Sequence, residues 1–304
     1  MDLTDAERLL AASADHRILR RIPPVAQWPL PEQTGALRRA IYVDVESTGL
    51  NLDVDEVIEL ALLPFDYDLT SGAITRVLLD EAYNGLRQPS FPIPAESTAI
   101  HGISDVDVVG RTIDADRVAA LVGGAHVIIA HNAGFDRPMV EKHWPIFEKK
   151  NWACSFHDVD WRAEGLSSGK LDYLLMRQGW FYDAHRALGD AQAGVFLLAQ
   201  PLPVSKRRTL AALLDNARRP MTAVRATGAA FKKSTALKQR GYRWDPGDGE
   251  RRTKAWWIMT EDADAEIAWL NAEIFPAPRA IPVIAMPSTR RYSSRLWSDG
   301  DAGA

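Results

Sequence analysis

Three apolar runs stand back to back between residues 39 and 83: RAIYVDVES, EVIELALLPFDYD and AITRVLLDEAY. Each reads as a strand from its β-branched and aromatic content, and Thr70, Ser71 and Gly72 form a hairpin signal between the second and third. Strands joined this closely pair antiparallel, because a parallel pair needs a crossover of a dozen or so residues. Beyond a proline-rich connection the pattern changes. Residues 95–102 and 114–121 read as helices, HVIIAH as a short buried strand, AGFDRPMVEKHW as a helix, and residues 171–177 and 189–198 as further helices. The order β-β-β-α-β-α with additional helices predicts an α/β domain with a mixed central sheet and helices on both faces.

Residues 3–20 carry a helical apolar pattern opened by Thr4 and Glu7 at capping-box spacing, and Pro23, Pro24, Pro29 and Pro31 end it. The chain thus divides into an N-terminal helix and linker over residues 1–37, a main domain over 38–200 and, past Pro201 and Pro203, a small unit over 205–278. The small unit reads as a helix at residues 208–218, then strand, helix, strand, strand and the helix DADAEIAWLNAEIF, with DPGDGERRT turning between its last two strands. Residues 287–304, rich in Ser, Arg, Gly and Asp, are expected to be a poorly ordered tail.

A hydrophobic content of 46% over 304 residues is enough to bury a substantial core. The single cysteine, Cys154, excludes an internal disulfide, and no Cys/His spacing suits a structural zinc ion. The N-terminus lacks the apolar core of a signal peptide and no apolar run reaches the ~18 residues of a membrane span, so a cytoplasmic protein with no membrane partner is expected. The net charge of −4 conceals a division: residues 205–254 hold 14 Lys+Arg against 4 Asp+Glu, while the remainder is acidic.

Asp44 and Glu46 lie two apart at the end of a strand, so period-two geometry puts both carboxylates on one face. Crowded hard oxygens of this kind suit Mg²⁺ or Mn²⁺, although solvated charges at a strand terminus would look the same. Asp136, in HNAGFD, falls in the first turns of a helix, where capping alone favours aspartate, and Asn132 before it is a common turn former. In HRALGDA, His185 precedes Asp190 at the start of another helix. Each element has an ordinary structural explanation by itself; the three together, in this order and on this background of strands and helices, form a specific pattern.

That pattern resembles the DEDDh exonuclease family, whose fold is RNase H-like and whose members include polymerase proofreading subunits and ribonucleases. The match spans residues 40–198. The resemblance implies a 3′-to-5′ exonuclease acting on nucleic acid with a free 3′ end, with Asp44, Glu46, Asp136 and Asp190 as ligands of two divalent metal ions, Mg²⁺ or Mn²⁺, and His185 as general base. The family's other branch carries Tyr four residues before the last Asp; Arg186 stands there in this chain. The resemblance further implies that Thr48, Gly49 and Leu50, matching the family's T-G-L, and His101, in AESTAIHGIS, contact the substrate, together with Asn132 and Phe135. Core packing is the competing explanation for Leu50 and Ile100.

In the small unit, Lys and Arg are interleaved with Phe231, Tyr242, Trp244, Trp256 and Trp257, a mixture that suits phosphates and stacked bases, or a small aromatic core under a solvated basic face. The segment LKQRGYRWDPGDGERRTKAWW weakly resembles a module found in proteins of nucleic acid metabolism. Docking onto a polymerase, helicase or other protein partner is the alternative use. Two rival readings of the whole chain stay open: a catalytically inactive nucleic-acid-binding module, and an RNase H-like endonuclease. Sequence leaves DNA versus RNA, a role in proofreading, DNA repair or RNA trimming, and the oligomeric state undecided.

Overall fold

The structure, a computed structural model, describes residues 2–247 and 253–297, the side chains of residues 296 and 297 excepted. The chain divides into two compact units, Met1–Ala217 and Arg218–Ala304.

In the first unit a helix, α1 (Leu3–Ala11), precedes a six-stranded sheet. Asp2 rather than Thr4 caps α1, its carboxylate accepting from the Asp5 N–H at 2.8 Å, and the helix ends well before the prolines. The sheet opens with β1 (Leu37–Ser47) and β2 (Val57–Asp68), paired antiparallel. β2 is buried along its whole length, which is why it reads as a near-continuous apolar run rather than an alternating one. The third run divides into β3 (Ile74–Val77) and β4 (Tyr83–Leu86), both paired with β2, instead of forming a single strand. Pro64 accounts for the break. It has no N–H to give a neighbouring strand, so residues between Val77 and Tyr83 leave the sheet after the Leu78 N–H donates to the Pro64 carbonyl at 2.9 Å.

Helices α2 (Ala95–His101) and α3 (Ala115–Gly124) then lead to β5 (Val127–Ala130), parallel to β1. After α4 (Ala133–Glu141) comes β6 (Asn151–Cys154), a parallel edge strand that the sequence reading lacks; its three buried residues, Trp152, Ala153 and Cys154, are too few to show a period. The sheet order is β3-β2-β1-β5-β6, with β4 alongside β3 on β2, a mixed sheet as expected. Helices α5 (Leu171–Arg177), α6 (Ala187–Ala199) and α7 (Thr209–Arg218) follow. Val195, Phe196 and Leu198 of α6 share one core with Tyr42, Leu63 and Phe65 of the sheet.

The boundary between units falls later than the proline pair suggests. Leu210, Leu213 and Leu214 of α7 bury themselves in the first unit's core, and a Cβ on Gly72, whose φ is 64°, would lie 2.7 Å from Ala211 Cα. The second unit holds β7 (Met221–Thr227), α8 (Ser234–Gln239), β8 (Arg243–Asp245), β9 (Ala255–Thr260), α9 (Ala263–Trp269) and β10 (Val283–Met286). Its sheet is antiparallel throughout in the order β8-β9-β7-β10. The expected turn DPGDGERRT lies partly, and the expected tail partly, outside the described residues; within 287–297, Arg291 and Ser293 are buried rather than splayed into solvent. Among the described residues no helix is long and apolar enough to cross a membrane.

Candidate active site

β1 carries Tyr42, Asp44 and Glu46 on one face by strand alternation. Helix α6 reaches this face because Gly194 gives it room: a Cβ there would sit 2.1 Å from Tyr42 Cζ. Asp190 lies one helical turn before Gly194, so the approach that Gly194 permits sets Asp190 beside Asp44. Carboxylate oxygens of Asp44, Glu46 and Asp190 fall within 4.8 Å of one another. Asp136, buried in the first turn of α4, is not part of that tight group, although its charge acts on Asp44.

Electrostatics follow from this crowding. Burial first, then the charges of Asp136, Asp190 and Glu46, pushes the Asp44 carboxyl well above the usual carboxylate range. Burial, then Asp190 and Glu59, pushes Glu46 up to about 8, with Arg186 opposing. Asp136 is raised well by burial, against hydrogen bonds from its own backbone and from Val45. Asp190 is raised by burial even though it accepts from Tyr182 Oη at 2.7 Å and from the Arg186 N–H at 3.0 Å. Like charges held this close without a partner are costly, and a cation among them removes the cost.

His185 is exposed and adjoins Asp190, its charge lowering the Asp190 pKa. Its φ of 70° puts a non-glycine residue in the left-handed region. The next residue fixes that turn. Arg186 donates from Nε and Nη2 to the two oxygens of Glu59, at 3.2 and 2.8 Å, and the Ala187 N–H donates to Glu59 at 3.1 Å. Glu59 also accepts from Asn84 Nδ2 at 3.1 Å. Glu59 stands directly opposite Glu46 across β1 and β2, and past this pair the register shifts, a bulge that redirects the strand end. Two facing carboxylates would repel; Arg186 lies between their fields and favours both ionised forms.

The remaining sequence candidates surround this centre. Thr48 is buried and fully engaged: its hydroxyl donates to Asp55 Oδ1 at 2.8 Å and accepts from the Glu56 N–H at 3.0 Å, and its own N–H donates to the Glu56 carbonyl at 2.9 Å. Gly49 packs so tightly on the Asp55 carboxylate that a Cβ would meet it at 2.6 Å. The Ser97 hydroxyl donates to the Thr48 carbonyl at 2.7 Å, tying α2 to this loop. Leu50 and Ile100, on the two tied elements, are 82% and 60% exposed, which removes core packing as their explanation. His101 is buried at the end of α2; its Nδ1 accepts from the Ile103 N–H at 3.0 Å, and its Nε2 lies beside the Ser47 backbone without a hydrogen-bond partner of good geometry. Asn132 adopts left-handed backbone with no side-chain cap bond, and Phe135 behind it is half-buried.

Sequence reasoning missed Glu59 and Tyr182, and treated Arg186 only as a non-tyrosine. The signal for Glu59 was present as the lone charge inside VIELALL, since a charge in a fully buried strand must find a partner. Tyr182 carries no comparable mark.

A mixed α/β sheet thus gathers carboxylates from β1 and α6, with a histidine beside them, in an arrangement able to hold a divalent cation. The chain belongs to the RNase_T exonuclease family, whose model, described as "Exonuclease", matches residues 41–198 and so takes in every side chain of the site. A DNA polymerase III subunit epsilon-like protein of Rhodobacter capsulatus is 32% identical over 200 residues, which is 61% of this chain and 26% of that protein. An uncharacterized exonuclease of Escherichia phage 186, CP81, is 30% identical over 172 residues, 50% of this chain and 82% of that protein. The chain therefore spans about a quarter of the length of the first of these relatives and most of the second. The solved structure of Exonuclease X in complex with 5′ overhanging duplex DNA matches with a TM-score of 0.42 and 22% identity, over 59% of this chain and 99% of that one.

Proposed function

We propose that this chain is a metal-dependent 3′-to-5′ exonuclease that releases nucleoside 5′-monophosphates from DNA or RNA with a free 3′ end. The carrying observation is the group of mutually repelling carboxylates at Asp44, Glu46 and Asp190, with His185 beside it in strained backbone. Strain of this kind persists only where the surroundings over-determine it, and it concentrates at functional sites. The donor set fits a hard divalent ion, because ionised oxygens are the ligands Mg²⁺ and Mn²⁺ take. Asp44, Glu46 and Asp190 would hold one or two such ions, with Asp136 completing the set; when bound, they offset negative charge on a phosphodiester and on its attacking and leaving oxygens.

The chain's own groups supply the rest. His185 accepts the proton of the attacking water through its exposed ring. Tyr182 and the Arg186 N–H fix the orientation of Asp190. Leu50 and Ile100 offer apolar surface to a terminal nucleotide, Gly49, Asn132, Phe135 and His101 are read as lining its approach, and Thr48 is read as holding that loop in place. The basic second unit is read as a further nucleic-acid contact, and the polymerase subunit epsilon-like relative makes a polymerase the protein partner we favour. A cytoplasmic setting suits the one buried thiol, Cys154.

The test is incubation of the full chain with single-stranded DNA and RNA labelled at the 5′ end, with Mg²⁺ or Mn²⁺ or with chelator, next to 3′-blocked strands. Stepwise shortening that needs the ion and an open 3′ end is the expected result. Internal cleavage of blocked strands would replace this reading by an endonuclease, and binding without cleavage by an inactive module.

A further inference from the structure

The second unit bears an aromatic surface that its own core does not use. Trp244 lies on β8, a three-residue edge strand, in register opposite Trp256 of β9. The two indoles are 5.3 Å apart at 59°. Trp256 is 7% exposed and belongs to the core with Val224, Leu237, Tyr242 and Leu270, whereas Trp244 leaves 48% of its surface in water. Lys238, from α8, sets its ammonium 5.8 Å from the Trp256 ring centroid. Arg243, the residue before Trp244, turns to the other face and places its guanidinium 5.8 Å from the Trp257 ring. A half-exposed indole is thus backed by a rigid, buried one, with a cation on each side of the strand.

We infer that Trp244, supported by Trp256 and accompanied on that face by Lys238, is a stacking platform for single-stranded nucleic acid. Every base presents a π-face, and an indole held at a fixed angle accepts one without sequence preference, while a neighbouring cation meets the phosphate that follows. Duplex bases are already stacked and do not offer that face. Charge complementarity supports the same occupant: the second unit carries 15 Lys+Arg against 10 Asp+Glu, the first 21 against 30, so the polyanion is drawn to the unit that bears the platform. A protein partner would want apolar area around Trp244, yet exposed Arg243, Lys238, Gln239 and Arg240 occupy the neighbouring sequence positions. The inference deepens the exonuclease reading and takes from it only the nature of the ligand.

The experiment uses the full chain in chelator, so that binding is read without cleavage, with a fluorescein-labelled oligo-dT of about 20 nucleotides followed by anisotropy. Trp244→Ala is expected to weaken binding roughly 5- to 150-fold, the range of one base–aromatic stack, and Trp244→Phe to keep most of it. Lys238→Gln is expected to lower affinity and reduce the salt slope by about one unit. A duplex of the same length should respond to neither tryptophan variant. Unchanged oligo-dT binding by Trp244→Ala, with unaltered thermal melting, would overturn the platform, as would equal losses for Phe and Ala or equal effects on the duplex. Wild-type shortening of strands with Trp244-independent binding would sink this inference alone; Trp244-dependent binding without any shortening would sink the exonuclease reading alone.

Discussion

His185 stands in left-handed backbone because its neighbour is held. Such a conformation costs on the order of 1–3 kcal/mol for a residue with a Cβ, and here the Arg186–Glu59 clasp and the start of α6 oppose relaxation. Asparagine tolerates the same backbone, so His185→Asn is expected to leave melting and strand binding near wild type while turnover falls by at least ~10²-fold, measured as kcat and KM on a 5′-labelled strand. A near-normal kcat would remove His185 from proton transfer. Arg186→Ala tests the clasp. It strips two charge-assisted donors from a carboxylate that is wholly buried, at an expected cost of about 2 kcal/mol, moderated because the guanidinium itself is more than half exposed. Chemical denaturation should show that loss, with kcat reduced more than KM, since the histidine turn loses its anchor. Arg186→Lys should recover the charge but not the two-pronged contact, and so only part of the activity.

Among the elements, α6 is the one whose position decides the site. It approaches the sheet tightly at Gly194, over the Tyr42 ring, whose hydroxyl in turn meets Ser155 Oγ at 3.0 Å. Gly194→Ala is expected to force the helix outward or tilt Tyr42, costing about 1–3 kcal/mol by overpacking and weakening metal-dependent activity through Asp190, one turn away. Unaltered melting and activity would show that Tyr42 can yield without moving α6. The same scale explains what sequence could and could not reveal. The carboxylates of β1 and the start of α6 were legible because strand alternation and helix start signals bear directly on them. The break between β3 and β4 was not, since it depends on Pro64 of a different strand, and β6 was not, since its neighbours rather than its period make it a strand. Nor does any local pattern reveal that Glu59 and Arg186, 127 positions apart, form one contact. Likewise, the proline pair after α6 looked like a boundary, while the apolar face of α7 belongs to the first unit.

For the whole molecule, the carboxylate group ties stability to pH and, on the metal-dependent reading proposed above, to cations. Glu46 has its folded pKa raised from 4.5 to about 8, so its favourable contribution is complete below pH 4.5 and is lost as pH rises toward 8; Asp44 and Asp136 shift in the same direction. Metal-free protein is therefore expected to melt lower at pH 8 than this group alone would allow near pH 5, and Mn²⁺ to raise Tm more at pH 8 than at pH 5, by about 2–4 °C for each kcal/mol recovered. Asp44→Asn should raise the metal-free Tm at pH 8 and abolish most of the Mn²⁺ response. Equal Mn²⁺ shifts at both pH values would mean that these carboxylates do not bind the ion together.

The acidic groups also come from distant parts of the chain, Asp44 and Glu46 from an early strand and Asp190 from a late helix. A ribosome delivers the first two well before the third, and neither end of the set can assemble alone. On the exonuclease reading proposed above, the capacity to cut is withheld until the first unit has closed around its sheet. On the metal-dependent reading proposed above, the cation that arms the finished protein also favours the fold in which its ligands meet.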